Sequence, residues 1–180
     1  MAKRFCGAAI VADSGPMCDD GAFYRSLLKK IIEMIPFIIE KSTIPKVFEL
    51  SKQIPEFVHK PKPLAEYYER LHDVTHLILV AKDGERLVGY KVGYDRYGDG
   101  SLYSWLGAVV PEYRGKGIAT LLAIEQERWA KKKGFESVRF KTLNRFKNML
   151  CFALNRGFYV TDFKAHVNPM ESAIFLRKVL

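Results

Sequence analysis

The sequence predicts an α/β (α+β) fold, one domain in which strands and helices build a common core. Three observations carry that prediction. Hydrophobic spacing switches along the chain between the two-residue period of strands and the 3.6-residue period of helices. An apolar run at 106–110 meets Pro111, and a strongly patterned helix then opens through Arg114-Gly115-Lys116-Gly117-Ile118-Ala119. The 180 residues, 48% of them hydrophobic, supply enough apolar material for one core of ordinary size.

Residues 1–33 lack strong periodicity until 23–32, which can form a helix. They read as an N-terminal extension, partly helical or disordered, on a domain body spanning 34–180, with Met34 as an alternative biological start. The apolar run 35–39 carries Pro36, which suits only an edge strand or a strand start. Ser42 is placed to cap a helix over 43–53, with Pro45 in its first turn, Val47, Leu50 and Ile54 on one face, and Pro55 at its end. A loop at 59–63 leads to a helix over 64–71. Three strands follow, at 76–81, 87–94 and 102–110, separated by Lys82-Asp83-Gly84 and Tyr97-Gly98-Asp99-Gly100. The next helix covers 117–133, with Ile118, Leu121, Leu122 and Trp129 in one stripe and Gly134 as its C-terminal cap. A strand at 137–142 precedes a helix capped by Asn144 and running to Asn155. Its Phe146, Met149, Leu150, Ala153 and Leu154 keep helical spacing until Gly157 stops it. Segments 158–163 and 173–179 close the chain as a hairpin around Asn168-Pro169.

The formal net charge is +9, which attracts anions. Nucleic acid is set aside as a partner: the run Lys131-Lys132-Lys133 sits in the last turn of a helix, where cations offset the dipole, and no reading helix or exposed aromatic platform is evident. Cys6, Cys18 and Cys151 suit neither a disulfide framework nor a zinc site, which points to reduced thiols in a cytoplasm. No apolar run reaches the length of a membrane span. The short apolar stretch near the N-terminus is broken by Asp13, Gly15 and Pro16, so secretion ranks below a cytoplasmic location. His72-Asp73-Val74-Thr75-His76 imitates the H-E-x-x-H zinc motif, but that motif needs both histidines on one helix. Val74 and Thr75 lead straight into a strand, and no metal is expected.

The glycines at 115 and 117 stand at a strand-to-helix junction with basic neighbours. Glycine admits left-handed backbone and close approach. The first amides of a helix lack intrahelical partners and favour anions, a pyrophosphate above all. The P-loop spacing G-x-x-x-x-G-K-[ST] is absent, and Gly115-Lys116-Gly117 is followed by Thr120 where the dinucleotide fingerprint needs a third glycine.

The strand ending in Val110-Pro111, followed by Arg114, Gly117 and Ala119 in an R/Q-x-x-G-x-G/A pattern, resembles the cofactor motif of the GCN5-related N-acetyltransferases (GNAT). The element order resembles theirs as well, with 35–39 in the place of the first strand, and the likeness covers roughly 34–180. It implies a mixed, mostly antiparallel central sheet with helices on both faces. It implies acetyl-CoA as co-substrate, lying in a wedge between two parallel strands, here 103–110 and 138–142. By the same likeness Val109 contacts the cofactor through its main chain. The amides of Arg114, Gly115, Lys116, Gly117, Ile118 and Ala119 take the pyrophosphate, and Asn148 is a further cofactor contact.

The implied reaction is transfer of an acetyl group to a primary amine of a small molecule or a protein, by direct attack on the thioester. Members of the family often place a tyrosine four residues before the glycine of a Gly-Phe pair, as proton donor to the departing thiol. That position is Ala153 here, and Phe146 stands where an asparagine often opens the helix motif, with Asn144 and Asn148 either side. Tyr103, on the strand beside the cofactor, and Glu56, after the first helix, are the candidates for the acid and base roles. Cys151 reads as a filler rather than a nucleophile. The alternative function is a non-catalytic acyl-CoA-binding or regulatory module on the same fold, working as a monomer or homodimer like the enzyme itself.

Overall fold

The computed structural model describes residues 37–58 and 61–180. The extension expected at 1–33, the beginning of the apolar run at 35–36 and the loop residues at 59–60 lie outside the described residues.

Among the described residues seven strands form one sheet in the order β1-β2-β3-β4-β5-β7-β6. They are β1 (Phe37–Lys41), β2 (His76–Asp83), β3 (Arg86–Asp95), β4 (Ser101–Val109), β5 (Ser137–Leu143), β6 (Tyr159–Lys164) and β7 (Ala173–Val179). Neighbours pair antiparallel except β4 and β5. The helices are α1 (Ile44–Ser51), α2 (Pro55–Val58), α3 (Leu64–Leu71), α4 (Ile118–Lys132) and α5 (Lys147–Asn155). The α3 helix has the bounds that its spacing predicts. Pro55 does more than end α1: it opens α2, a position that suits its fixed φ.

Two expected helix caps are corrected. Ser42 is not the cap of α1; Thr43 holds that position without a side-chain bond, and the Ser42 N–H instead donates to the Ile78 carbonyl at 3.0 Å. Asn144 likewise does not cap α5, which starts at Lys147 with Phe146 at the cap position. The Asn144 N–H donates to the Ser172 carbonyl and its Nδ2 to the Pro169 carbonyl, tying the end of β5 to the loop before β7. In both places a residue with a capping side chain prolongs strand pairing.

The C-terminal stops of α4 and α5 share one design. Gly134 and Gly157 take φ values of 84° and 80°. The following amides, of Phe135 and Phe158, reach back to the Ala130 and Ala153 carbonyls at 3.0 and 3.1 Å. This is the Schellman arrangement, which consumes carbonyls the helix leaves orphaned.

Helices lie on both faces of the sheet. On one, Tyr67 of α3 packs against Trp105 of β4 at 5.1 Å between ring centroids and against Phe48 of α1 at 5.9 Å. On the other, α4 crosses so close to β3 that a Cβ at Gly93 would stand 2.6 Å from Nε2 of Gln126. Ile118 and Leu122 of the expected α4 stripe are buried, whereas Leu121 and Trp129 are partly buried and the stripe continues through Ala123, Gln126 and Ala130. On α5 the buried stripe is narrower than the spacing predicts. Ala153 is buried, Met149 and Leu150 pack against its cluster, and Leu154 is exposed, because a helix of nine residues meets the sheet along one edge.

His72 caps the C-terminus of α3 and His76 begins β2, with Asp73 between them at φ 51°. The two imidazoles thus belong to different elements.

Candidate active site

The parallel ladder between β4 and β5 holds for only three pairs, Ser101 with Ser137, Leu102 with Val138 and Tyr103 with Arg139. Beyond them the strands part. β4 continues to Val109 paired only with β3, and β5 to Leu143 paired only with β7. Trp105 marks the parting point as a bulge: Gly93 faces Ser104 and Val92 faces Leu106, so one extra residue is inserted in β4. A bulge raises local twist and turns the strand away from its neighbour.

The edges left open carry backbone polar groups that need partners. The Val110 N–H donates to the Val88 carbonyl at 3.0 Å, and antiparallel alternation from that bond turns the backbone groups of Val109 and Gly107 toward the gap. Under α4 the gap narrows into a cavity lined by Lys91, Ser104, Gln126, Phe140 and Ala153 among others. Gln126 is 1% exposed, yet among the described residues neither its Oε1 nor its Nε2 has a partner. An unpaired buried amide costs roughly 1–3 kcal/mol, and the cavity beside it, about 20 Å³ as it stands, has room for little more than a water.

At the mouth of the gap the chain turns through Gly115 and Gly117, at φ 76° and 81°. The first amide of this segment to find a backbone carbonyl is that of Thr120, 3.0 Å from the Gly117 carbonyl. Among the described residues the amides of Gly115, Lys116, Gly117, Ile118 and Ala119 make no backbone bond. Among the described residues a Cβ at Gly115 would meet nothing within 4 Å, and Gly115, Lys116 and Gly117 are exposed.

Arg114 differs from the other five. Its amide is already bonded to the Pro111 carbonyl at 3.2 Å. Its guanidinium donates from Nε to the Val109 carbonyl at 3.0 Å and grips the Glu56 carboxylate with both terminal nitrogens at 2.9 Å. The bond to Arg114 holds the Glu56 carboxyl below its ordinary pKa. As it stands Glu56 is a charged clamp on the turn and a weak base. The Val109 carbonyl is taken by Arg114, which leaves its amide as the main-chain group free for a guest. Lys116 stacks its ammonium on the Tyr113 ring, 4.5 Å from the centroid.

Tyr103 is 7% exposed, and burial, foremost, raises its phenol pKa. Its ring meets Tyr94 and Tyr97 edge-on, both at 5.9 Å, beneath Arg96 at 4.9 Å. It lines a separate cleft of about 300 Å³ with Arg139, Asp162, Phe175 and Arg177. Glu56 pairs at the glycine turn, so the two candidate catalytic residues do not meet. Asn148 is exposed on the first turn of α5, where Met149, Phe152 and Ala153, not Asn148, line the cavity.

Gln126, Gly107 and Lys91 are the site residues that sequence reasoning passed over. Gln126 had a signal: it continues the spacing of Ile118 and Leu122, a polar residue on a buried stripe. Among the described residues no group of three or more His, Cys, Asp and Glu is placed to hold a metal ion.

A sheet that opens between two parallel strands beside a glycine-rich helix start defines an acyltransferase architecture. The family model described as "Acetyltransferase (GNAT) family" matches residues 44–158. The chain belongs to that family of acetyl-CoA-dependent N-acetyltransferases. Solved structures agree on the fold. Ard1 from Thermoplasma volcanium superposes with a TM-score of 0.68 at 17% identity, over 81% of this chain and 99% of its own. The ribosomal-protein-S18-alanine N-acetyltransferase from Escherichia coli gives 0.68 at 12%, over 79% and 93%. The acetyltransferase yncA from Salmonella typhimurium, solved with its cofactor acetyl-CoA, gives 0.66 at 16%, over 81% and 94%. No curated protein sequence matches the chain.

Proposed function

We propose that this chain binds acetyl-CoA in the β4–β5 gap and moves its acetyl group to a primary amine of a small molecule or a protein. The observation that carries the reading is the three-pair ladder opening directly beside five unpartnered amides. The residues present fit the cofactor. The amides of Gly115 to Ala119 suit its diphosphate, at the positive end of α4. The open edge at Gly107 and Val109, with the orphaned Gln126 amide, suits its peptide-like arm. When bound, acetyl-CoA supplies an activated acyl group; the chain positions that group against the incoming amine and excludes water around it. Arg114, held by Glu56, fixes the turn through the Val109 carbonyl. The cytoplasm is the place of action this reading favours, and Cys151, exposed and free, fits a reducing compartment. Among the described residues no helix is long and apolar enough to cross a membrane.

A thermal-shift titration tests the proposal. Acetyl-CoA at a hundred times its dissociation constant stabilises the folded protein by about 2.7 kcal/mol, read as a raised Tm. An unchanged Tm at millimolar acetyl-CoA overturns it. Release of free thiol in the presence of an amine panel then separates an enzyme from a binding module: thiol released with any amine shows transfer, and binding without release shows the module.

A further inference from the structure

Lys91 stands on β3 opposite Gly107, in the middle of the open edge of β4. Its side chain runs alongside that glycine: a Cβ there would lie 3.6 Å from both Cγ and Nζ of Lys91. No side chain separates the two, and Lys91 lines the cavity together with Gln126 of α4, Phe140 of β5 and Ala153 of α5. The lysine thus reaches as far as Gly107, on the open edge of β4, from the face of the sheet that α4 covers.

Among the described residues its charge has no salt-bridge partner. The carboxylate that bears on it is Glu127 of α4. That carboxylate is already bonded to Arg156, after α5, and to Lys178 of β7, each at 2.8 Å. Three cations therefore share one anion, and Lys91 is the one without a salt bridge among the described residues. Lys91 is half-buried, and a partly desolvated, unpaired ammonium gives up its proton more readily than one in water. Burial, foremost, lowers the Lys91 pKa to about 8, with Arg156 acting in the same direction and Glu127 opposing.

We propose that the Lys91 ammonium is the proton donor to the thiol that leaves during acyl transfer. The inference rests on the acetyl-CoA reading above. The incoming amine forms a bond to the thioester carbon, the carbon–sulfur bond breaks, and its electron pair goes to sulfur. Nζ of Lys91 delivers a proton to that sulfur and becomes a neutral amine; the attacking nitrogen gives up its extra proton to water, and water returns one proton to Lys91 before the next cycle. An acid works best when its pKa lies near both the operating pH and that of the group it protonates, and a thiol has a pKa of about 8.5. With its pKa lowered only to about 8, Lys91 still carries its proton at pH 7, which makes it an acid rather than a base or an acyl acceptor. Ala153, on the opposite wall, offers no hydroxyl for the task.

The first test is pH-dependent acetic-anhydride labelling of the wild-type protein, with Lys91 followed by mass spectrometry, with and without CoA. Expected are a midpoint near pH 8 and protection by CoA. A midpoint at the ordinary lysine value of about 10.4, or labelling that CoA does not slow, overturns the assignment. The second test uses Lys91→Met and Lys91→Arg. Arginine keeps the charge and cannot give up a proton near neutral pH. Both variants are expected to keep an acetyl-CoA thermal shift, to lose roughly a hundredfold in kcat, and to lose the basic limb of the kcat profile near pH 8. An arginine variant with full kcat, or with that limb intact, overturns the proton role. A wild-type protein that shows no acetyl-CoA thermal shift overturns the functional reading itself, which separates the two failures.

Discussion

At Glu56 one carboxylate is pulled between two readings. Its place after α1 marks it as a candidate base, yet its bidentate hold on Arg114 keeps it ionised. The sign of the pH effect follows. A carboxyl whose folded pKa is depressed contributes stability that is present above its unfolded pKa, ordinarily 4.5, and is lost as pH falls through the folded value. Glu56→Gln is expected to lower stability at pH 7 by about 0.5 kcal/mol, as befits a part-exposed pair. Chemical denaturation should show the difference from wild type closing below pH 4.5. A difference that persists unchanged into acid contradicts the pairing. Residue identity alone made the glycine turn and Arg114 legible, because their backbone demands are written in their chemistry. It did not reveal Lys91, since a lysine on a strand reads as solvated until its register opposite a glycine is known.

Elements were legible where local chemistry decides them. The bounds of α3, the order of strands, the closing β6–β7 hairpin and the glycine stops of α4 and α5 all follow from spacing and from Gly or Pro positions. The N-terminal caps were not, because Ser42 and Asn144 sit at junctions where the same side chains suit either a helix start or a strand end. The bulge at Trp105 was invisible for another reason: alternation along one strand says nothing of its register against the next. The two helix-flanking glycines offer a matched comparison. Gly117→Ala and Gly134→Ala both place a Cβ on left-handed backbone and are each expected to cost about 1 kcal/mol in denaturant unfolding. Only Gly117→Ala is expected also to weaken acetyl-CoA binding, at least several-fold by calorimetry. Equal affinities for the two variants would remove the glycine turn from the binding site.

At the scale of the molecule, apolar packing among the described residues forms two clusters. One lies around β2, β3 and the start of α4, the other around β5, β7 and α5, and Trp129 packs against both. The two halves of the sheet are joined by the short parallel ladder at 101–103 and 137–139, which the Glu136 N–H extends by donating to the Gly100 carbonyl at 2.9 Å. Such a seam is a natural site of low-energy opening, because few hydrogen bonds must break for the halves to separate. A guest that bonds to the free edge of β4 then behaves as a surrogate strand, knitting the halves together for as long as it stays. Hydrogen–deuterium exchange is expected to slow on acetyl-CoA addition across β4 and β5, and not only at the glycine turn; protection confined to the turn would contradict this. A seam that took in the cofactor would thus also set the protein's stiffness, tightening on loading and slackening when spent CoA departs.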